Sequence, residues 1–345
     1  DDTPGLGQRW ATLVTRRRWI VLAVAAAGLV GLAGPVLDLR LGLPDEGSMS
    51  TETTQRRAYD LTSSAFGEGF NGPLMVVVDA ATSDDPQGAA DSALETIGTL
   101  DNVATAAPPM FNENGDTAIM SVIPTTGPGA PETEDLVHDI RAAGSDISAA
   151  TGADLAVTGN TAITIDFSQK MSDALLPYLG VVVGLSIVLL MLAFRSILVP
   201  IKAAAGFLLT MGATFGLTVG IFQWGWFNDL LGIEQTGPII SMLPIVLIGV
   251  VFGLAMDYEV FLVSRMREAY AHGESATAAV ITGFRHSARV VTAAALIMIS
   301  VFVGFMLAGD DFILQMGLAM AAAVAIDAFV VRMTIVPAVL AILGD

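Results

Sequence analysis

Six long apolar stretches constrain this chain more than any other feature: Trp19 to Leu37, Leu175 to Phe194, Ala203 to Phe222, Ile239 to Val263, Val290 to Ala308 and Phe312 to Leu343. A helix needs about 20 predominantly apolar residues to cross a bilayer, and backbone polar groups at that depth must bond within the protein. Each stretch is therefore read as a membrane helix. Composition agrees, with 53% hydrophobic residues, 14% charged residues and a mean hydropathy of +0.66.

A polar segment between the first and second stretches is long enough to fold by itself. The chain is thus divided into an N-terminal segment 1–18, a first helix 19–38, an outer domain 39–172 and a five-helix bundle 173–345. If the N-terminus is cytoplasmic, the inner ends hold Arg9, Arg16, Arg17, Arg18, Arg195, Lys202, Arg265, Arg267, Arg285 and Arg289. The outside holds only Arg40, Arg56, Arg57, Arg141 and Lys170. That bias predicts cytoplasmic N- and C-termini and an extracytoplasmic segment 39–172, with short outer loops around Asn228 to Gln235 and Asp310 to Asp311.

The formal charge of -18 falls mostly in the outer domain. It argues against nucleic acid as a partner and against tight docking of that domain onto anionic lipid head groups. Arg16-Arg17-Arg18 before an apolar run also suits a secretory signal. The run is longer than a signal core, however, and Ala33-Gly34-Pro35 makes a poor cleavage site, so an uncleaved anchor is expected. The chain has no cysteine, which excludes disulfides, thiol nucleophiles and thiolate metal sites.

Within the outer domain the patterns predict a helix over Thr51 to Phe66, a buried strand over Pro73 to Asp79 and a helix over Ala89 to Leu100. A short strand Val103 to Ala107, a turn at Asn112 to Asp116 and a strong strand Thr117 to Pro124 follow. An amphipathic helix Glu132 to Ala150 and a strand Asp154 to Thr158 complete it. This order suggests a split βαβ, ferredoxin-like α/β layer. The glycines from Gly67 to Gly72 follow a helix and precede a strand, the reverse of what a phosphate loop requires.

The fourth apolar stretch contains Asp257 beside Tyr258. An ionisable side chain at membrane depth costs roughly 2.5 to 3.5 kcal/mol on insertion scales, which marks Asp257 as a candidate site for protons or ions. Gly249 and Gly253 precede it at four-residue spacing, a small-residue face that lets a neighbouring helix approach. Tyr258 could hydrogen-bond the carboxylate or pass its proton. The sixth stretch holds Asp327 and Arg332; counted back from the cytoplasmic ends, Arg332 falls near the depth of Asp257 and Asp327 somewhat further out. The plainer reading of these two is an ion pair that fixes helix packing. Thr292 and Ser300 are expected to bond their own helix, and Lys202 to snorkel to the surface.

The run Gly253-Leu254-Ala255-Met256-Asp257-Tyr258-Glu259-Val260-Phe261-Leu262-Val263-Ser264-Arg265 resembles the signature of the MmpL family, part of the RND (resistance, nodulation, division) transporter superfamily. Arg195-Ser196-Ile197-Leu198-Val199-Pro200 and the segment from Asp327 to Arg332 resemble that family at matching places. The resemblance implies one RND repeat, similar to the second half of such a protein: a multi-pass α-helical membrane protein with a porter domain inserted after its first helix. It also implies an exporter in the inner (plasma) membrane, driven by protons as coupling ion, that moves lipids or other hydrophobic molecules. Asp257, Tyr258, Asp327 and Arg332 would form the proton relay, with no cofactor or metal. Such proteins have two repeats, so this chain is expected to be a fragment or to pair with a second repeat or a second copy, and higher oligomers fit as well. One departure is Ala293-Ala294-Ala295 in the fifth stretch, where the first repeat often offers a hydroxyl.

A proton crossing 100 mV yields about 2.3 kcal/mol, whereas an acyl chain exposed to water costs about 0.8 kcal/mol per CH₂. A lipid cargo would therefore need an apolar passage in the outer domain, with relay motion passed on through Ser168 to Pro177. Two rivals stand beside this reading. One is a non-transporting sensor or scaffold of the sterol-sensing type. The other is a membrane-embedded enzyme, although His138, His272 and His286 show no metal-ligand spacing.

Overall fold

In a computed structural model, which describes residues 6–273, 275–307 and 311–343, the chain forms two compact units. One is Leu41–Lys170; the other combines Asp1–Arg40 with Met171–Asp345. Helix α1 (Leu6–Arg16) buries Ala11, Val14 and Thr15 on one side and leaves Arg9, Leu13 and Arg16 exposed on the other. Helix α2 (Arg18–Ala33) is the first apolar span and ends in a tight turn, Gly34–Asp38. The amphipathic α1 was not foreseen in segment 1–18.

The unit Leu41–Lys170 is a helix-covered antiparallel sheet. Helix α3 (Thr54–Phe66) is capped by Thr53, whose side chain accepts from Arg56 N at 3.2 Å. Strand β1 (Leu74–Asp79) leads to α4 (Pro86–Gly98), which starts earlier than expected because Asp85 accepts from Gly88 N at 3.0 Å and Pro86 suits the first turn. Strands β2 (Val103–Ala106), β3 (Met110–Phe111) and β4 (Thr117–Pro124) follow, then α5 (Pro131–Thr151) and β5 (Asp154–Thr158). The sheet order is β2-β4-β1-β5, with β3 paired to β4 and every pairing antiparallel. The two-residue β3 was not anticipated from its sequence.

Strand β1 corrects one expectation. Its apolar run reads as buried on both faces, yet Leu74, Val76 and Val78 are buried while Met75 is 43% exposed. Helices cover only one side of the sheet. The core on that side joins β1 and β4 to Ala89, Ala90, Ala93 and Ile97 of α4 and to Leu136, Val137, Ile140 and Ile147 of α5. Gly69, in the loop that resembles a phosphate loop, lies so near Pro124 O that a side chain would collide with that carbonyl. Close backbone approach accounts for this glycine.

Helix α6 (Asn160–Phe194) begins well before Leu175: its first turns carry Ala162 and Ile165, which join the sheet's core, and Asp166, which accepts from Arg141 at 2.6 and 2.8 Å. Then come α7 (Leu198–Phe222), a short α8 (Asn228–Leu231), α9 (Leu243–Ala271), α10 (Ala276–Met306) and α11 (Asp311–Ala325). Residues Ile326–Ile335 form a π-helix, continued by α12 (Val336–Leu343). Five helical segments are long and apolar enough to cross a membrane, and α9 adds a shorter apolar part, Leu243–Met256. The outer turn expected at Asp310 lies outside the described residues.

Packing in this unit relies on small residues. Helices α2 and α7 meet where Gly212 faces Ala33 Cβ and Gly216 lies against Leu32 O, so close that an added Cβ would strike the carbonyl. Helix α10 packs on both α9 and α11, and α7 packs on α9, α11 and the π segment.

Candidate functional site

The π segment brings together two of the expected site residues. Arg332 Nε lies 3.3 Å from both carboxylate oxygens of Asp327, and the residues are 1% and 2% exposed. In an α-helix, residues five apart point about 140° away from each other. In a π-helix the N–H of residue i+5 bonds the carbonyl of residue i, so such residues stack on one face. Thr334, whose hydroxyl donates to Phe329 O at 2.8 Å, repeats the same five-residue relation.

Three neighbouring helices, α7, α1 and α10, hold this segment in place. The Thr210 hydroxyl on α7 lies within hydrogen-bonding reach of Asp327. Gly206, one turn earlier, is flush against Val331, since an added Cβ would stand 2.8 Å from Val331 Cγ1. Met333 is gripped from two sides: its carbonyl accepts from Trp10 Nε1 of α1 at 2.9 Å, and its sulfur from Thr292 of α10 at 3.7 Å. Thr292 was expected to bond its own helix and instead serves the π segment. Ser300 does bond its own helix, donating to Leu296 O at 2.7 Å.

Lys202 departs from the snorkelling expectation. Its Nζ is buried, and the Arg332 guanidinium acts on it electrostatically. Lys202 sits in the second turn of α7 on the side that carries Gly206 and Thr210, so its charge is turned into the bundle. The sequence signal was available in that four-residue spacing, but proximity to the helix end favoured the opposite reading.

Asp257 and Tyr258 lie on α9, and their side chains fall outside the described ones. The residue before them, Met256, packs against Leu190, Phe194 and Ala203, and Phe252 meets Phe207 edge-on with ring centroids 5.6 Å apart. Gly249 faces Tyr178, whose hydroxyl would stand 2.9 Å from an added Cβ. At Gly253 an added Cβ would meet nothing within 4 Å among the described residues. The side chain of His286 also lies outside the described ones, while His138 and His272 are in separate places. Among the described residues no three metal-ligating side chains converge.

Six apolar helical segments and a buried carboxylate–guanidinium pair define a multi-pass helical membrane protein that keeps charge inside its bundle. The chain belongs to the MMPL family, whose model matches residues 49–345. It is 46% identical over 338 residues to the membrane protein YdfJ of Bacillus subtilis, covering 97% of this chain and 46% of that protein. It is 34% identical over 339 residues to the mycolic acid-containing lipids exporter MmpL11 of Mycolicibacterium smegmatis, covering 96% of this chain and 35% of that protein. A shorter match, 37% over 197 residues, joins it to the trehalose monomycolate exporter MmpL3 of Mycobacterium tuberculosis, covering 56% of this chain and 20% of that protein. The chain spans about half the length, or less, of the curated relatives it matches.

Proposed function

We propose that this chain is part of a proton-driven exporter of lipids or other hydrophobic molecules in the inner membrane, and that Asp257, Tyr258, Asp327 and Arg332 relay the proton. The buried Asp327–Arg332 pair on a π segment carries the reading. Buried ion pairs contribute little net stability, because desolvation offsets their attraction. A pair kept at membrane depth is better explained by a change of charge during a working cycle. Protonation of a carboxylate in this cluster removes its hold on a cation, and a π segment offers an alternative register into which the helix can relax.

The cargo class rests on the two relatives described as exporters of mycolic acid-containing lipids and of trehalose monomycolate. Residues 39–172 would act as an extracytoplasmic porter domain. Its strand order β2-β4-β1-β5, with α4 following β1 and α5 leading into β5 along the chain, supports a ferredoxin-like layer. Both termini would be cytoplasmic, and a second repeat or a second copy would complete the transporter.

The test is transport of a mycolate-type glycolipid by the protein reconstituted with its second half under an imposed pH gradient. Asp257→Asn and Asp327→Asn should each abolish gradient-dependent transport while leaving membrane insertion intact. Normal export by both variants would sink the proposal.

A further inference from the structure

Helix α7 carries a polar residue or glycine at every fourth place: Lys202, Gly206, Thr210, Thr214 and Thr218. Four-residue spacing keeps them on one slowly drifting stripe. Gly206 touches Val331, Thr210 reaches Asp327 and Lys202 feels Arg332, so the first half of the stripe lies along the π segment and Thr214 follows one turn beyond Thr210. Its three threonines are 0%, 0% and 1% exposed in chain order, inside a helix that is otherwise strongly apolar.

Thr210 and Thr218 donate to Gly206 O at 3.0 Å and Thr214 O at 2.8 Å, the usual arrangement for a threonine within a helix. Thr214 differs. Its Oγ1 is buried with no hydrogen-bonding partner among the described residues. Valine has the same shape and would avoid that cost, so a hydroxyl here calls for an explanation. A buried polar atom on a polar stripe is the setting in which proteins hold an internal water.

We propose that Thr214 holds buried water, and that waters bridging the roughly 6 Å between successive hydroxyls of Thr218, Thr214 and Thr210 form the path by which protons reach Asp327 from the end of α7 nearer Phe222. Each hydroxyl and water on the path accepts one proton and releases one, ending on the carboxylate. The proposal rests on the relay reading above.

The experiment compares Thr214→Val and Thr214→Ser in the purified full chain and, reconstituted with its second half, in vesicles loaded with a pH-sensitive dye. If Thr214 binds water, the valine variant loses a partner for it and melts lower by roughly 2–4 °C, while the serine variant matches the parent. A valine variant that melts at or above the parent shows a dry hydroxyl and overturns the proposal. In vesicles under an imposed pH gradient, proton entry that depends on Asp257 should fall about tenfold or more with valine and persist with serine. Lower melting with undiminished proton entry makes the water structural and overturns the path. If Asp257→Asn leaves proton entry unchanged, the relay reading falls and the path with it, whereas the melting comparison still decides whether Thr214 holds water.

Discussion

Asp327 and Arg332 stand five residues apart and form an ion pair at 3.3 Å within one helical segment, a relation that its π geometry favours by bringing residues five apart onto one face. Both ends of the segment run into ordinary α-helix, α11 and α12. The pair therefore reports the state of the helix that holds it. If the π turn relaxed to α spacing, Asp327 and Arg332 would part.

Breaking this pair from one side should be costly. Arg332→Met leaves a buried carboxylate without its cation and should destabilise the chain by about 3–5 kcal/mol. The double variant Arg332→Met with Asp327→Leu should recover much of that loss, since an apolar replacement of a buried pair is often neutral. Thermal melts of the two variants in detergent decide the point; equal losses would show that the residues do not act as a pair.

Trp10 ties α1 to the π segment by a single indole bond to Met333 O. Trp10→Phe keeps the ring's bulk and removes the donor, so it should cost about 0.5–1.5 kcal/mol. Hydrogen exchange would show where that loss falls. Faster exchange confined to residues 326–336 is expected, and uniform exchange throughout α1 alone would contradict the tie.

The buried Lys202 ammonium is expected to matter for charge rather than shape. Lys202→Met should lower gradient-driven transport about tenfold, equivalent to roughly 1.4 kcal/mol of barrier, while Lys202→Arg retains most of it. Transport rates of the two variants at matched expression test this, and a fully active methionine variant would remove Lys202 from the site.

Gly216 leaves no room for a side chain beside Leu32 O. Gly216→Val should separate α2 from α7 and cost at least about 1–3 kcal/mol through overpacking. Recovery of folded protein after detergent extraction is the measurement, with Gly180→Val as the control because a Cβ added there meets nothing within 4 Å among the described residues.

In the unit Leu41–Lys170, burial pushes the Asp45 carboxyl above its ordinary 3.8, although the Ser48 N–H that it accepts pulls the other way. The folded state then binds a proton more tightly than the unfolded chain, so this group's contribution to stability falls as pH rises from about 4 through the raised value. Asp45→Asn keeps the oxygen that accepts from Ser48 and removes the titration. Denaturant melts between pH 4 and 7 should therefore show a smaller loss of stability with rising pH in the variant, and parallel curves would refute it.

The element pattern of the unit Leu41–Lys170 was largely legible because its signals are local. Strand β4 and strand β5 fall on the residues their alternation and β-branched content predict, and Asp85-Pro86 could have set the start of α4. What was missed lacked local signal: β3 is two residues long, and α1 is amphipathic but short. In the bundle, Asp257, Asp327 and Arg332 were conspicuous as charges among apolar residues. Thr210 and Thr214 were not, because a threonine within an apolar helix is common and only its surroundings reveal an unanswered hydroxyl.

Sequence by itself determined that this chain is a multi-pass helical membrane protein with a polar segment after the first apolar helix, because apolar length and the cost of unbonded backbone leave few other solutions. It also determined which charges are expensive. Tertiary structure decided which of them meet: a π segment places Asp327 over Arg332, and the small and hydroxyl-bearing face of α7 sets Thr210 against the carboxylate and turns Lys202 inward. Those relations depend on helix register and neighbouring helices, which hydropathy along one chain does not encode.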